Sequence, residues 1–286
     1  MTNRNKLSQK LVFFFFALFL FSIGNAEKTL ILGIHPYLSY LELEKRFTPL
    51  ADYLTEKTGH PIIVRIGKNY DDHLKNIGEN KIDIAYLGPV PYVELTQKYG
   101  KKPLLAIIET DNTTTFKGYI IARKDSPIQN IFDINPGKFA FVKEQSTMGY
   151  VYPFYLFASH HIGNTILKNS IFLGSHDNVA LGVLSGNFSA GAVKEETFFS
   201  YQNKGLKTID STNLCPEHLF ITSSDLPENI ISDLRNVLLN LHKSPEGKNI
   251  MTGIKSTMTQ MLPVKDEDYN DLRTILKLVE KSGLKK

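Results

Sequence analysis

The sequence is poor in cysteine and has no tryptophan: among its 286 residues, Cys215 is the single cysteine. One thiol cannot form an internal disulfide, which excludes a small disulfide-rich scaffold, and a zinc cluster built on cysteines is excluded as well. Apolar residues make up 42% of the chain, enough to bury a sizeable core. Stability must therefore come from packing.

Motifs that carry catalysis are also missing. The sequence contains no G-x-S-x-G, no H-E-x-x-H, no G-x-x-x-x-G-K-[ST] and no dinucleotide-binding fingerprint. His160-His161 and Glu195-Glu196 are adjacent pairs, and adjacent side chains point in different directions on a helix, so both are poor metal or acid–base pairs. We therefore expect a protein that is not an enzyme and that needs no metal or cofactor.

The charge balance is only slightly basic. The formal net charge of +4 includes Arg4, Lys6 and Lys10 at the start of the chain. Elsewhere Lys and Glu are interleaved, and no basic helix or arginine cluster occurs, so nothing predicts nucleic-acid binding. A weak positive balance is compatible with an anionic ligand.

One apolar run, residues 11–23, follows those three basic residues and precedes the small residues 24–26. This pattern is typical of a cleavable export signal, with cleavage expected after Ala26. An uncleaved anchor is the weaker alternative, because a bilayer core of about 30 Å needs roughly 20 apolar residues. No cysteine follows the run to carry a lipid, so we expect a free periplasmic protein without membrane insertion after cleavage.

From residue 29 onward, short β-rich runs alternate with amphipathic helical stretches, which is typical of α/β proteins. Thr48-Pro49 predicts the start of the first helix, and two consecutive helices without a strand between them are expected at 227–242 and 266–281. The expected strands are 29–35, 61–66, 82–87, 104–109, one starting at 118–119, and then 138–142, 170–173, 190–193, 207–209 and 218–222.

Two polar, turn-rich segments, residues 111–116 and 211–216, interrupt this pattern and predict crossovers between two lobes. We expect an α/β fold in which each lobe is a mainly parallel sheet flanked by helices. Residues 27–115 together with 218–286 would form lobe 1, which carries a C-terminal helical tail. Residues 116–217 would form lobe 2.

Polar or glycine residues recur where a predicted strand ends and a helix begins. Ligands of open parallel sheets bind outside the carboxyl ends of the strands, where helix N-termini offer free N–H groups and a positive dipole end. Such junctions favour an anionic ligand. They are Asn69-Tyr70, Gly88-Pro89, Ser146-Thr147-Met148-Gly149 and Ser175-His176-Asp177.

The junction at 146–149 gives the sharpest hypothesis. Two adjacent hydroxyls, the following N–H groups and a glycine can direct several short donors at one tetrahedral oxyanion. His176 can donate to such an oxyanion in either protonation state, and Tyr70 and Tyr119 offer phenolic donors. The alternatives are ordinary ones: a Ser/Thr helix cap, a structural histidine and packed tyrosines.

These loops, in this order, resemble the phosphate/phosphite/phosphonate-binding proteins of ABC importers, a branch of the type II periplasmic binding proteins. The resemblance covers nearly the whole chain after the signal. The segments that carry it are 47–50 (FTPL), 83–89 (DIAYLGP), 118–119 (GY), 124–127 (KDSP), 145–149 (QSTMG) and 174–180 (GSHDNVA).

The resemblance implies a ligand-binding role for a defined set of residues. Those implied to hold the phosphorus oxyanion are Tyr70, Tyr119, Ser146, Thr147, the Met148 amide and His176. Glu196 matches one of the family's amine-binding carboxylates, whereas His218 stands where an aspartate binds the aminoalkyl end. That departure favours phosphate, phosphite or a small neutral phosphonate over an aminoalkylphosphonate.

The resemblance also implies capture of the ligand by hinge closure, a membrane permease as partner and a monomeric protein. Several alternatives stay open at this point. The closed form can instead engage a sensor kinase or a chemoreceptor, and the ligand can be a sulfonate or a phosphorylated metabolite. A periplasmic phosphate-ester hydrolase is the weakest alternative, because no nucleophile or set of metal ligands supports it.

Overall fold

The computed structural model describes residues 28–134, 138–168 and 170–281. The predicted export signal, residues 1–26, lies outside the described residues. The strands are β1 (Leu30–Ile34), β2 (Ile62–Ile66), β3 (Ile84–Leu87), β4 (Leu104–Thr110), β5 (Thr115–Phe116), β6 (Gly118–Arg123), β7 (Phe139–Phe141), β8 (Ile171–Phe172), β9 (Ala190–Lys194), β10 (Leu206–Ser211), β11 (Cys215–Pro216), β12 (Leu219–Thr222) and β13 (Met258–Leu262).

Helices cover both sheets, and short helical turns join several of the elements. A π-helix spans Thr147–Val151, and 3-10 turns span Ile131–Asp133, Leu241–Lys243 and Asp266–Tyr269. The α-helices are α1 (Tyr40–Thr58), α2 (Tyr70–Gly78), α3 (Pro89–Tyr99), α4 (Tyr152–Ser159), α5 (Gly163–Leu167), α6 (His176–Leu184), α7 (Glu195–Gln202), α8 (Glu228–Asn240), α9 (Pro245–Ile254) and α10 (Asn270–Lys281).

The strands form a first sheet in the order β13-β4-β12-β3-β1-β2 and a second sheet in the order β10-β6-β9-β7-β8. Both sheets are mixed. In the first, β1 is parallel to β2 and β3, but β12 and β13 run antiparallel to their neighbours. In the second, β7 is parallel to β8 and β9, whereas β6 is antiparallel to β9 and β10. The α/β class is thus confirmed: most strands of each sheet run in one direction, with β12 and β13 reversed in the first sheet and β6 in the second.

Two of the antiparallel strands, β6 and β12, lie where the chain crosses between the sheets. β6 follows the first connection and β12 follows the second. Each connection is too short to wrap a helix around a sheet, so the arriving strand keeps the direction of the crossing and pairs antiparallel. Within the connections, β5 pairs with β11, and Phe116 lies opposite Cys215. The two connections therefore run side by side as a short ladder between the sheets.

The first helix begins earlier than the sequence pattern predicted. Ser39 caps α1, its hydroxyl accepting the Glu42 N–H at 3.4 Å, and Pro49 lies inside the helix. The predicted start at Thr48-Pro49 is therefore wrong. An interior proline removes one backbone hydrogen bond, but Phe47 and Leu50 are fully buried beside it, and their packing holds the helix together.

The region after β12 also differs from the expectation of two helices without a strand between them. Between α8 and α10 lie α9 and β13, and β13 adds to the edge of the first sheet next to β4. Met258 and Met261 of β13 are both buried, but they lie three positions apart across an irregularity in the ladder, so the strand carries no regular alternation that the sequence could show. The last helix, α10, packs against α3 and α4 and so contacts helices that accompany both sheets.

Candidate functional site

A small polar cavity lies between the two sheets, where β1, β3, β7 and β9 end. We call it the inner cavity. Its volume is about 20 Å³, which is room for about one water molecule. Its described lining residues are His35, Tyr37, Tyr70, Gly88, Pro91, Phe116, Gln145, Ser146, Thr147, Met148, His176, Lys194 and His218.

The π-helix supplies the cavity floor. Ser146 precedes it, and the Ser146 hydroxyl accepts the N–H of Gly149 at 3.1 Å. Gly149 is required here, because a Cβ would come within 2.6 Å of the Ser146 hydroxyl and within 2.5 Å of the Val142 Cβ. The N–H groups of Thr147 and Met148 belong to the first turn, where a helix provides no acceptor of its own. They are available as anion donors.

Thr147 joins the two sheets at this point. Its hydroxyl accepts the backbone N–H of Val90, in the first turn of α3, at 3.2 Å. Because the oxygen accepts from Val90, the hydroxyl proton is free to donate elsewhere. A Cβ on Gly88 would lie 3.7 Å from this hydroxyl, so the N-termini of α3 and of the π-helix meet around one threonine.

His176 lies at the start of α6, buried behind Ser146. Its Nδ1 accepts the Lys194 N–H at 3.1 Å, and its Nε2 lies 3.5 Å from the Ser146 hydroxyl. Burial, reinforced by Lys194 and His218, lowers the pKa of His176 well below its ordinary value. The ring is therefore neutral and carries its proton on Nε2, the atom on the Ser146 side.

Tyr70 approaches the same group from the first sheet. It is the first residue of α2, which Asn69 caps by accepting the Asp72 N–H at 2.8 Å. Burial raises the pKa of its phenol, with the nearby Ser146 side chain opposing this effect, so the phenol stays a neutral donor. Tyr70, Ser146 and His176 thus form a chain of neutral hydrogen-bonding groups across the cavity.

His218 lines the opposite side of the cavity and is oriented by a buried carboxylate. Its Nδ1 donates to Glu217 at 2.9 Å, which leaves Nε2 on the side of Gly88. Glu217 is fully buried and also binds Lys255 and the Thr110 hydroxyl. Burial opposes its ionisation, but Lys255 and His218 lower the pKa of Glu217 to about 2.

Aromatic rings close the cavity on the side of the first sheet. The His218 ring stacks at 5.3 Å on both His35 and Tyr86, and Phe116 lies 5.3 Å away at a tilted angle. His35 and His73 both donate to the Tyr86 carbonyl at 3.3 Å. Burial lowers the pKa of both, that of His73 to about 4, so these imidazoles are neutral.

Beside the inner cavity stands a group of buried ion pairs, which we call the ion-pair wall: Arg46, Lys194, Glu196, Glu217 and Lys255. Glu196 binds Arg46 at 2.7 Å through one oxygen and Lys194 at 2.6 Å through the other. Burial alone would raise the pKa of Glu196, but Lys194 and Arg46 hold it well below the ordinary value. The wall is therefore ionised.

Beyond the wall lies a wider outer cleft with a volume of about 490 Å³. Residues of α1 and of the 252–257 segment form one side of this cleft, and residues of α7 form the other. Arg46 and Glu196 line the cleft and bind each other across it. The ion-pair wall therefore separates the inner cavity from the wider opening.

The structure brings together most of the residues that the sequence singled out. Tyr70, Ser146, Thr147, Met148, His176 and His218 all line the inner cavity. Tyr119 does not. It is a strand residue of β6 whose ring packs against Phe198 and Phe199, at 5.0 and 6.0 Å, on the face of the second sheet that carries α7. Tyr119 therefore does not line the inner cavity in this structure, whereas Phe116, three residues earlier, does.

Glu196 also lies elsewhere than expected for a ligand contact. It lines the outer cleft and the space behind Lys194, not the inner cavity. Sequence reasoning missed Lys194, because a lysine at a strand end reads as a solvated residue. It also missed His35 and Tyr37, which directly follow the end of β1, the same position that identified the other loops.

Metal binding and membrane insertion find no support in the described part of the chain. Within it, no group of three or more His, Cys, Asp or Glu side chains is arranged to hold a metal ion. None of the described helices combines the length and apolar character needed to cross a bilayer.

Two mixed α/β sheets joined by a paired double connection, with a polar cavity between them, define the type II periplasmic binding protein fold. PhnD1 from Prochlorococcus marinus, solved in complex with methylphosphonate, superposes with a TM-score of 0.79 at 21% identity, over 89% of this chain and 99% of that one.

Sequence comparison identifies the branch. The phosphonates-binding periplasmic protein of Escherichia coli K12 is 24% identical over 256 residues, 84% of this chain and 75% of that protein. The phosphate-import protein PhnD of Mycolicibacterium smegmatis is 25% identical over 280 residues, 87% of this chain and 85% of that protein. The family model for ABC transporter, phosphonate, periplasmic substrate-binding proteins matches residues 32–269, so the chain belongs to this family.

Membership fixes the general class of the protein. The family consists of periplasmic substrate-binding components of ABC transporters and is not an enzyme family. Its members work with a small-molecule ligand and a membrane permease.

Proposed function

We propose that this protein captures a small phosphorus oxyanion, namely phosphate, phosphite or a small phosphonate, and delivers it to the permease of an ABC importer. Residues 27–115 and 218–286 form one lobe and residues 116–217 the other. The lobes close by bending at the ladder of β5 and β11, as is common in periplasmic binding proteins.

The convergence of neutral donors on Thr147 carries this proposal. The Ser146 and Thr147 hydroxyls, two N–H groups of the π-helix and the His176 Nε2–H come from the second sheet. The first sheet adds Tyr70 and the N-terminus of α3. Neutral donors and helix N-termini are the groups that hold an oxyanion without bringing a compensating negative charge.

The size of the inner cavity favours a small ligand. At about 20 Å³ the cavity has room for about one water molecule, so it must widen even for phosphate, and a nucleotide or a sugar phosphate would need a much larger opening. The ligands of relatives agree with this: one relative is named for phosphate import, and the Prochlorococcus PhnD1 structure contains methylphosphonate. We therefore favour an oxyanion with at most one small substituent.

Contacts between the two sheets support closure. Arg46 on α1 binds Glu196 on α7 at 2.7 Å, and the Gln145 amide donates to Asp71 at 3.1 Å. In the proposed mechanism these bonds and the Val90–Thr147 bond form together as the lobes meet. A ligand that contacts both lobes then shifts the population to the closed form through its tighter binding there.

We further propose that residues 1–26 direct export and are removed, and that the mature protein is a monomer. Export through this segment places the oxyanion site in the periplasm, where the permease takes over the ligand. N-terminal sequencing of protein from the periplasmic fraction should begin at Glu27. Light scattering after size exclusion should give the mass of one mature chain.

A thermal-shift screen followed by calorimetry tests the function. The ligands are phosphate, phosphite, methylphosphonate, 2-aminoethylphosphonate, sulfate and an alkanesulfonate. A ligand at 100 times its Kd stabilises the protein by about 2.7 kcal/mol, so at least one phosphorus oxyanion should raise the Tm by several degrees. A response confined to sulfate or the sulfonate, or no response at all, would contradict the proposal.

A further inference from the structure

Lys194 is a buried lysine at the end of β9, only 6% exposed. Its ammonium binds Glu196 at 2.6 Å and lies 4.2 Å from the centre of the Tyr37 ring. The residue lines both the inner cavity and the space behind it. A lysine is seldom buried to this degree unless it is paired, so the carboxylate and the ring together fix its position.

The inner cavity has an unusual charge inventory. Among its described lining residues, Lys194 is the one lysine or arginine, and none is Asp or Glu. The imidazoles of His35 and His176 are neutral, because burial lowers their pKa well below the ordinary value. An anion in the cavity therefore meets one cation and a set of neutral donors.

The neighbouring carboxylates are already occupied by the protein's own cations. The two oxygens of Glu196 bind Arg46 and Lys194. Those of Glu217 bind Lys255 and the Thr110 hydroxyl on one side and His218 on the other. A positively charged substituent on a ligand would reach neither carboxylate without displacing one of these partners.

We propose that Lys194 is a specificity-determining residue: it places the protein's own ammonium where a ligand's cationic group would otherwise pair with Glu196. This inference rests on the proposed binding of a phosphorus oxyanion. The site selects anions that carry no ammonium group, because two ammonium groups in a dry cavity repel each other, while an uncharged methyl or hydrogen substituent meets no such repulsion.

Calorimetry on the mature protein with methylphosphonate and 2-aminoethylphosphonate tests this inference. The wild type should bind methylphosphonate at least about 30-fold more tightly, a difference of about 2 kcal/mol. Lys194→Met should weaken methylphosphonate at least tenfold and reduce the preference to less than threefold. Lys194→Arg keeps the charge and should keep the preference.

Lys117→Met is the matched control. Lys117 also lies over a tyrosine ring, Tyr119 at 5.3 Å, but outside the inner cavity, so its loss should leave both affinities unchanged. Circular dichroism and Tm establish folding of each variant. If Lys194→Met fails to fold, the test rests on the ratio of the two ligand affinities in the wild type and on whether Lys194→Arg keeps that ratio.

Three outcomes are distinguishable. Equal or tighter binding of 2-aminoethylphosphonate by the wild type overturns the role of Lys194 but leaves the proposed function standing. An unchanged preference for methylphosphonate in folded Lys194→Met also overturns the role of Lys194. Failure of every phosphorus oxyanion to bind overturns the proposed function, and this inference with it.

Discussion

The inner cavity and the ion-pair wall are neighbours between the same two sheets, yet they stabilise buried polar groups in different ways. The cavity presents neutral donors, His176, Ser146 and Tyr70, whose hydrogen-bonding capacity is not fully used inside the protein. In the wall, Glu196 and Glu217 each hold two cationic or imidazole partners. The cavity is thus arranged to accept an external anion, and the wall is complete by itself.

The largest expected effect is a loss of folding stability when a charge is removed from the ion-pair wall. Glu217→Gln leaves the Lys255 ammonium without its anionic partner in a buried place. Breaking a buried pair by removing one partner costs about 3–5 kcal/mol, so the free energy of unfolding in urea should fall by that amount. Glu228→Gln, at a carboxylate that is 80% exposed, is the control and should change stability by less than about 1 kcal/mol. Equal losses of stability in Glu217→Gln and Glu228→Gln would contradict a special stabilising role of the ion-pair wall.

The next effect separates the regions by ligand affinity. Thr147→Val keeps the shape of the side chain but removes the hydroxyl that faces the inner cavity and accepts the Val90 N–H. We expect oxyanion binding to weaken at least about tenfold, because a lost hydrogen bond to a charged group costs about 1.5–3 kcal/mol. Thr252→Val, in the outer cleft, should bind as the wild type does. Calorimetry that finds both variants alike would exclude Thr147 from the site.

Acid should protonate the buried imidazoles beside the inner cavity and the carboxylates of the ion-pair wall at different pH values. Burial lowers the pKa of His73 to about 4, so the unfolded chain binds more protons than the folded one between about pH 6.5 and 4. The stabilisation from the neutral imidazole is complete above pH 6.5. As the pH is lowered from 6.5, the free energy of unfolding decreases by up to about 1.4 kcal/mol per pH unit for one such histidine. Glu217, with a pKa of about 2, behaves in the same direction but only below about pH 4.5.

Urea titrations at half-unit steps from pH 7.5 to 3.5 measure this separation. His73→Gln should make the decline between pH 6.5 and 4 less steep by the share of one histidine, because His35 and His176 still contribute, and should leave the acid limb below pH 4.5 unchanged. A wild-type free energy of unfolding that stays constant from pH 7 to 5 would show that the imidazoles are not held neutral.

The smallest effect concerns the ion pair between Arg46 and Glu196, which joins elements of the two sheets. Arg46→Met removes one partner of Glu196 but leaves Lys194 in place. In the proposed mechanism this bond forms only when the lobes meet, so its loss should weaken oxyanion binding about threefold, or about 0.7 kcal/mol, by lowering the closed population. Small-angle scattering without ligand should show a larger radius of gyration. Lys45→Met, the neighbouring residue on α1, is the control, and an equal loss there would argue for a general charge effect.

Much of the fold was predictable because its signals are local. Strand positions such as β1 and β3 follow from runs of apolar residues, and the capped loops at Ser146 and Ser175 follow from short side chains that bond their own backbone. The failures came from distant contacts. Pro49 reads as a helix start but is held inside α1 by core packing, and β13 exists because β4 offers it an edge.

The sequence by itself determined the alternation of strands and helices, the Ser146–Gly149 loop and the family, because each depends on residues close together in the chain. Only the tertiary structure decided that Phe116 lines the cavity and Tyr119 does not, since Phe116 lies on β5 in the connection between the sheets whereas Tyr119 lies on β6 and packs against α7. It alone paired Arg46 with Glu196, 150 residues apart. Such pairing depends on how two sheets meet, and that is a property of the whole packed chain.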